Sequence, residues 1–182
     1  MKLLENERIR LRAPEPEDLD MLYRWENDTS LWESGNTFSP YSRYALKQYI
    51  AESGNDLYER GQLRLIIEPR ETSVAVGAVD LYDIELHHRR AGTGILVDSA
   101  CRQKGFATEA LTLAAHYAFT FLRLHHLYAH IPRTNTPCLR LFERCGFATA
   151  GVLAEWLHVS GGYADVIVMS LINREPPPHC AT

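Results

Sequence analysis

The chain lacks any long hydrophobic run, since no apolar stretch approaches the ~20 residues that a helix needs to cross a bilayer. Its first seven residues, MKLLENE, turn acidic too early for a secretory signal peptide. We therefore expect no membrane segment and a cytoplasmic location.

Ordered cysteine spacing and a positive net charge are also missing. The four cysteines show no Cys-x-x-Cys pair and no disulfide framework, and the eight histidines are scattered, so no bound metal is expected. With 19 basic and 23 acidic residues, the formal net charge is −4. Nucleic-acid binding needs a concentrated basic face, which this balance does not favour. A small cationic substrate remains compatible with it.

Two common phosphate-binding motifs are absent as well. There is no Gly-x-x-x-x-Gly-Lys-Ser/Thr of a nucleotide P-loop, and no Gly-x-Gly-x-x-Gly opening a helix as in a dinucleotide fold. At 182 residues the chain can bury one full core but is too short for two ordinary domains. We expect a single domain over residues 1–174 and a disordered, proline-rich tail over residues 175–182.

What the sequence does contain is a strand, a short polar loop and a long alanine-rich helix between residues 93 and 122. Residues 95–97 predict a buried strand, and helical periodicity begins near Gly105. The first four N–H groups of a helix have no intrahelical acceptor, and the helix dipole makes that end positive. With Arg102 and Lys104 beside it, the loop is a candidate cradle for a phosphate group.

Hydrophobic periodicity predicts the remaining elements. A turn at Gly161-Gly162 should join the last two strands, Thr136 should cap the last helix, and Gly146 should end it in a left-handed conformation. The predicted strands cover residues 8–12, 62–68, 74–84, 95–97, 127–131, 152–159 and 163–171. A first predicted helix begins near residue 14. Three more predicted helices cover residues 43–58, 105–122 and 136–145.

Three motifs carry a family resemblance. Arg102-x-x-Gly105-x-Ala107 resembles the pyrophosphate-binding signature, Arg/Gln-x-x-Gly-x-Gly/Ala, of the GNAT superfamily of acyl-CoA-dependent N-acetyltransferases. Residues 135–147, NTPCLRLFERCGF, resemble its second signature, Asn-x-x-Ser-x-x-x-Tyr-x-x-x-Gly-Phe. Upstream, VDLYD at residues 79–83 followed by HRRA at 88–91 is similar to the polyamine (spermidine) and ribosomal-protein branch. The match is collinear over about residues 8–172.

The resemblance implies an α/β fold, with α and β elements around a mixed, mostly antiparallel sheet of about seven strands that splays apart at a cofactor cleft. It also implies acetyl-CoA as co-substrate, with the pyrophosphate on the amides of residues 103–108 and the pantetheine arm along the central strand. The residues that it implies in cofactor binding are Ile95, Leu96, Val97, Arg102, Gln103, Lys104, Gly105, Phe106, Ala107, Thr108, Asn135, Cys138, Phe142 and Arg144.

On the acceptor side, the polyamine-acetylating enzymes carry acidic residues at the positions of Asp80 and Asp83, where they hold and deprotonate a cationic amine. Because a strand alternates its faces, these two cannot point the same way without a β-bulge. The family folds the region after the first helix over the acceptor, which makes Glu33 a candidate contact, together with the aromatic residues Trp32, Phe38 and Tyr41. The alternative is that these aromatics belong to the core and that the carboxylates are simply solvated.

The chain departs from the family pattern at three positions. Phe142 replaces a tyrosine that protonates the leaving CoA thiolate, and phenylalanine cannot donate a proton. The free thiol has a pKa of only ~8.5, so transfer can survive, with water or a hydroxyl such as that of Tyr163 as substitute. Cys138 replaces a serine, and Gly92 replaces an acidic residue of the polyamine enzymes.

Three functions therefore remain open. The first is acetyl transfer to a polyamine such as spermidine by direct attack in a ternary complex. The second is acetylation of a peptide N-terminus, of the ribosomal-protein type. The third is acyl-CoA binding without catalysis, which the loss of the tyrosine favours. Family members assemble as dimers or larger rings, which leaves a homo-oligomer open.

Overall fold

The computed structural model describes residues 3–32, 39–53 and 57–174. Within them, seven strands form one sheet in the order β1-β2-β3-β4-β5-β7-β6. All neighbouring strands pair antiparallel except β4 and β5, which run parallel. The predicted mixed, mostly antiparallel sheet is confirmed. The strands are β1 (Ile9–Arg12), β2 (Leu63–Pro69), β3 (Gly77–Glu85), β4 (Arg90–Val97), β5 (His126–Pro132), β6 (Ala148–Val159) and β7 (Gly162–Ile172).

Helices flank both faces of the sheet. On one face, α5 and α6 enclose the larger core, which includes Val79, Leu81 and Leu127. On the other face, α1 and α3 pack with Ile66 and Ala78. The α-helices in the described residues are α1 (Leu19–Glu26), α2 (Thr29–Trp32), α3 (Arg43–Glu52), α4 (Leu57–Arg60), α5 (Phe106–Thr120) and α6 (Thr136–Arg144).

The central helix α5 lies close to the sheet because its buried side is made of small residues. Ala110, Ala114 and Ala118 are almost completely buried there, beside Leu111 and Leu113. Short side chains let the helix axis approach the strands closely, and they cost little conformational entropy in a helix. This packing fixes where α5 begins, at the end of the cleft described below.

Two helix predictions were wrong in their boundaries. The helix expected over residues 43–58 is divided into α3, which ends at Glu52, and the separate short α4. The last turn of α3 closes at Ser53, whose backbone N–H donates to the carbonyl of Ile50 at 3.1 Å. The cap of α6 is Asn135 rather than Thr136, since the Asn135 side-chain oxygen accepts the N–H of Cys138 at 3.3 Å.

The central strand and the last hairpin also differ in detail from the predictions. Residues 95–97 are half-buried, not buried, because one edge of β4 has no neighbouring strand there. Val159 pairs with Gly162, so the two-residue turn is Ser160-Gly161, one residue earlier than expected. Gly146 does adopt the predicted left-handed conformation, with φ +88°. The expected tail over residues 175–182 lies outside the described residues.

Candidate active site

The parallel strands β4 and β5 separate from each other. Their pairing covers only Arg90–His126, Ala91–Leu127 and Gly92–Tyr128, although β4 continues to Val97 and β5 to Pro132. Beyond these pairs, the edge of β4 that faces β5 carries backbone groups without a strand partner on that side. An amide-containing chain can hydrogen bond to such an edge as an added strand does. The predicted splay is thereby confirmed.

The open edge of β4 leads to the N-terminus of α5. Gly105 precedes the helix with φ +87°, and no side chain caps the first turn. Gln103 also has a positive φ, of 62°, so the loop turns sharply before the helix begins. The first backbone N–H groups of α5, including those of Ala107 and Thr108, therefore have no intrahelical acceptor. Together with the helix dipole, they form a site suited to a phosphate group.

Side chains from outside the loop hold it in place. Arg8, just before β1, donates to the Lys104 carbonyl at 3.0 Å and forms an ion pair with Glu109 in the first turn of α5. Asn6 donates to the other carboxylate oxygen of Glu109 at 2.9 Å. Arg102 is exposed, and its Nε donates to the carbonyl of Val97 at 3.2 Å, which joins the loop to the end of β4.

Helix α6 follows β5 and carries further residues that the family resemblance implies in cofactor binding. Asn135, the residue predicted to contact the cofactor, caps this helix through its bond to Cys138. Burial raises the pKa of the Cys138 thiol to about 11, so it stays protonated at neutral pH. Phe142 is only 1% exposed, and its ring packs edge-to-face against Phe147 at 4.9 Å. Arg144 is exposed in the last turn.

The two aspartates predicted on β3 have different surroundings. Asp80 accepts two hydrogen bonds from Arg64, at 2.7 and 2.9 Å, and Arg64 also forms an ion pair with Glu26 of α1. We call Glu26, Arg64 and Asp80 the charged cluster; its three side chains are about one-fifth exposed. Asp83 is exposed, and burial together with the negative charge of Asp83 raises the pKa of Tyr128.

A β-bulge accounts for the position of Asp83. The pairing of β3 with β4 shifts between Tyr82 and Glu85, and Asp83 has a positive φ of 48°. The N–H of Ile84 turns away and bonds to the carbonyl of Gly61 at 2.9 Å. The bulge that the sequence left open is therefore present, and it places Asp83 beside Tyr82.

An aromatic group at the splay was missed by the sequence analysis. Tyr82 and Tyr128 are in edge-to-face contact at 6.1 Å, and Tyr128 contacts His130 at 5.4 Å. The signal that could have found it is the alternation of β3, which places Tyr82 on the face of Asp80. The glycines Gly92 and Gly94 on β4 are a second signal, because they leave space over that strand.

The region expected to contact the acceptor is described only in part. Glu33 and Phe38 lie outside the described residues. The Trp32 indole N–H donates to the carbonyl of Glu26 at 2.9 Å, next to the charged cluster. Tyr41 is partly exposed, and its backbone is held by the side chain of Asn27.

Two general features of the chain bear on its function. Across residues 3–32, 39–53 and 57–174, His, Cys, Asp and Glu side chains form no cluster of three or more that could hold a metal ion. Of the helices described, none combines the length and the apolar character needed to span a membrane.

Comparison with known proteins agrees with this geometry. The acetyltransferase (GNAT) domain model matches residues 8–148, well over half of the chain. The spermidine N(1)-acetyltransferase of Vibrio cholerae is 28% identical over 170 residues, which cover 93% of this chain and 96% of the relative.

Solved structures give the same result. A crystal structure of spermidine N-acetyltransferase from Vibrio cholerae, in complex with CoA and spermine, matches with a TM-score of 0.80 at 30% identity and covers 92% of this chain and 96% of its own. A dodecameric structure of the Vibrio cholerae enzyme matches with a TM-score of 0.75 at 29% identity, covering 92% and 95% of the two chains. With the splayed strands and the uncapped helix between them, these matches establish that the chain belongs to the GNAT acetyltransferase family and is an acyl-CoA-dependent N-acetyltransferase.

Proposed function

We propose that this enzyme transfers an acetyl group from acetyl-CoA to a primary amine of a polyamine such as spermidine, by direct attack in a ternary complex. The observation that carries the proposal is the unpaired edge of β4, which ends at the uncapped N-terminus of α5. An amide-bearing arm and a diphosphate are the two parts of CoA that these features suit. The named activity of the Vibrio cholerae relative supports the choice of acceptor.

The donor site uses backbone groups more than side chains. The amides of residues 103–108 hold the pyrophosphate, and Arg102 and Lys104 add positive charge near it. The open backbone of Ile95, Leu96 and Val97 binds the pantetheine arm, and one N–H of that strand stabilises the oxyanion that forms on the thioester carbonyl. The opposite wall of the donor site comes from α6 and its cap, through Asn135, Cys138, Phe142 and Arg144.

The acceptor site attracts and deprotonates a cation. Two carboxylates and one guanidinium give the charged cluster a formal charge of −1, and the exposed Asp83 adds another negative charge on the same strand as Asp80. An alkylammonium has a pKa near the ~10.4 of lysine, so it must lose a proton before the nitrogen can attack. We assign this task to Asp83, because Asp80 is held by Arg64. Glu33 stays a predicted acceptor contact.

The main test is release of the CoA thiol from acetyl-CoA in the presence of different acceptors. We expect turnover with spermidine and none with short peptides that have the N-termini of ribosomal proteins. Turnover with the peptides alone would replace the polyamine by a protein N-terminus. Acetyl-CoA binding in calorimetry without turnover on a wide amine panel would favour the non-catalytic alternative, which the sequence left open.

Variants of the two aspartates test the acceptor side. We expect Asp83→Asn to lower kcat with spermidine by about 10²-fold, as for loss of a general base. The calorimetric Kd for acetyl-CoA should stay unchanged. Asp80→Asn should raise the KM for spermidine more than it lowers kcat, because it removes charge but no base. A larger kcat loss in Asp80→Asn than in Asp83→Asn would reverse these roles.

We further infer that the reaction needs no metal and that the enzyme is a homo-oligomer. Direct attack of an amine on a thioester requires no Lewis acid, so dialysis against EDTA should leave the rate unchanged. The dodecameric relative supports the oligomer. Light scattering after size exclusion should give a mass that is a multiple of 20.7 kDa. A monomer at assay concentration would contradict it.

A further inference from the structure

The side chain of Tyr82 crosses the strand next to its own. A Cβ atom built on Gly92 of β4 would lie 2.2–2.6 Å from three atoms of the Tyr82 ring, and one on Gly94 would lie 3.8 Å from it. The phenol therefore rests directly on the bare backbone of β4. On the far side, the ring meets Tyr128 of β5 edge-to-face, with 6.1 Å between the ring centroids.

These contacts place the Tyr82 ring at the start of the gap between the two strands. Pairing of β4 with β5 ends at Gly92 and Tyr128. A ring from β3 that covers Gly92 and meets Tyr128 lies at the point where the strands begin to separate. In the proposed complex this is next to the thioester, because the pantetheine arm binds along Ile95–Val97, immediately beyond Gly94.

The chemistry at this point needs a proton donor. Position 142, where the family tyrosine stands, holds a phenylalanine whose ring is buried against Phe147. The Tyr128 ring is held between Tyr82 and His130 on β5. Tyr163, the substitute considered from the sequence, is 66% exposed on the β6–β7 hairpin and packs against His158. Among these groups, Tyr82 is the phenol whose ring rests on the backbone of β4, the strand along which the thioester binds in the proposed complex.

We propose that Tyr82 is the catalytic acid that protonates the leaving CoA thiolate. Before this step Asp83 takes the ammonium proton and passes it to solvent. The neutral amine nitrogen then forms a bond to the thioester carbon and loses a second proton to Asp83. The C–S bond breaks with its electron pair on sulfur, which takes the hydroxyl proton of Tyr82. The phenolate regains a proton from Asp83 through solvent, so amine and thioester give amide and thiol.

The surroundings of Tyr82 suit a donor. Burial, with Tyr128 and Asp83 nearby, raises the pKa of Tyr82 to about 12, so the phenol is fully protonated at neutral pH. The nearby backbone N–H of His130 opposes this rise in pKa and stabilises the transient phenolate. Gly92 is part of the same arrangement, because any side chain at this position would displace the Tyr82 ring. This explains physically why the chain has glycine at a position where the polyamine enzymes carry an acid.

The inference rests on the proposed function, so turnover of the wild-type enzyme with spermidine is measured first. We then compare Tyr82→Phe, Gly92→Ala and Tyr163→Phe. Tyr82→Phe keeps the ring and loses the hydroxyl; Gly92→Ala keeps the hydroxyl and displaces the ring. We expect each to lower kcat by about tenfold to a hundredfold, near the lower limit for acid catalysis because a thiolate is a tolerable leaving group. Tyr163→Phe should stay within twofold of the wild type.

A double variant and a chemical series exclude a merely structural role. If both changes act through the position of one hydroxyl, Tyr82→Phe with Gly92→Ala should be no slower than the slower single variant. Fluorotyrosines at position 82, whose phenols are more acidic, should give activity that falls as pH rises through the pKa of each phenol. The Kd for acetyl-CoA should stay unchanged throughout.

Several results would overturn the assignment. A Tyr82→Phe enzyme with wild-type kcat would do so, as would fluorotyrosine variants whose pH profiles ignore the phenol pKa. A loss in Tyr163→Phe equal to that in Tyr82→Phe would move the role to the hairpin. Absence of any turnover in the wild type, with acetyl-CoA binding intact, would instead refute the proposed function on which the inference rests.

Discussion

Arg64 is the only cation bonded to both carboxylates of the charged cluster among the contacts described, so its removal should be costly. At a charge separation of ~4 Å and an effective dielectric constant of ~20, each attraction is about 4 kcal/mol. The variant also loses the desolvation penalty of the arginine itself, so the net change is smaller. Breaking a buried pair typically costs about 3–5 kcal/mol. Since the three side chains are about one-fifth exposed, we expect Arg64→Met to cost ~3 kcal/mol.

Urea unfolding at pH 7 would measure this loss. With an m-value of ~2 kcal/mol/M, a loss of ~3 kcal/mol lowers the urea midpoint by about 1.5 M.

Arg60 offers a matched control. It lies 5.8 Å from the ring of Tyr49, the same distance as Arg64, but its ion pair with Glu52 is much more exposed. We expect Arg60→Met to cost less than ~1 kcal/mol, as is usual for a surface pair. Equal losses in the two variants would refute the electrostatic argument.

Three further predictions concern stability and the donor site. Burial raises the pKa of Asp18, but hydrogen bonds from Arg12 and a backbone N–H outweigh it, and the pKa lies below its usual value. The ionised Asp18 carboxylate therefore contributes its full stabilisation above the unfolded pKa of ~3.9, and this contribution is lost as pH falls through the pKa of the folded state. In Asp18→Asn, the urea midpoint should depend less on pH between about pH 5 and 2. Phe142→Ala should lower the unfolding free energy by about 3–5 kcal/mol in the same assay, because its ring is fully buried, and a loss below ~1 kcal/mol would contradict the packing. Gly105→Ala should weaken acetyl-CoA binding about fivefold to tenfold in calorimetry, because alanine at φ +87° costs ~1 kcal/mol or more. As a control, Gly161→Ala, at φ +94° in the distant hairpin turn, should leave the Kd for acetyl-CoA unchanged.

The sequence by itself determined the fold. Alternating and helical periodicities are local properties, so they located the seven strands and the start of α5, although β4 begins at Arg90 and β6 at Ala148, five and four residues earlier than predicted. Gly105 in a left-handed conformation and the uncapped first turn of α5 follow from neighbouring residues alone. The predicted break between the parallel strands came from the family resemblance, and the register of β4 and β5 confirms it.

Only the tertiary structure decided the acceptor side. Arg64 forms ion pairs with Glu26 and Asp80, which lie 38 and 16 positions away in the chain, and no spacing in the sequence indicates these pairs. The bulge at Asp83 depends on a backbone bond to Gly61, and the course of Tyr82 over Gly92 depends on how β3 pairs with β4. Such contacts arise where strands distant in sequence meet, because their register and side-chain directions are set by the whole sheet rather than by local propensity.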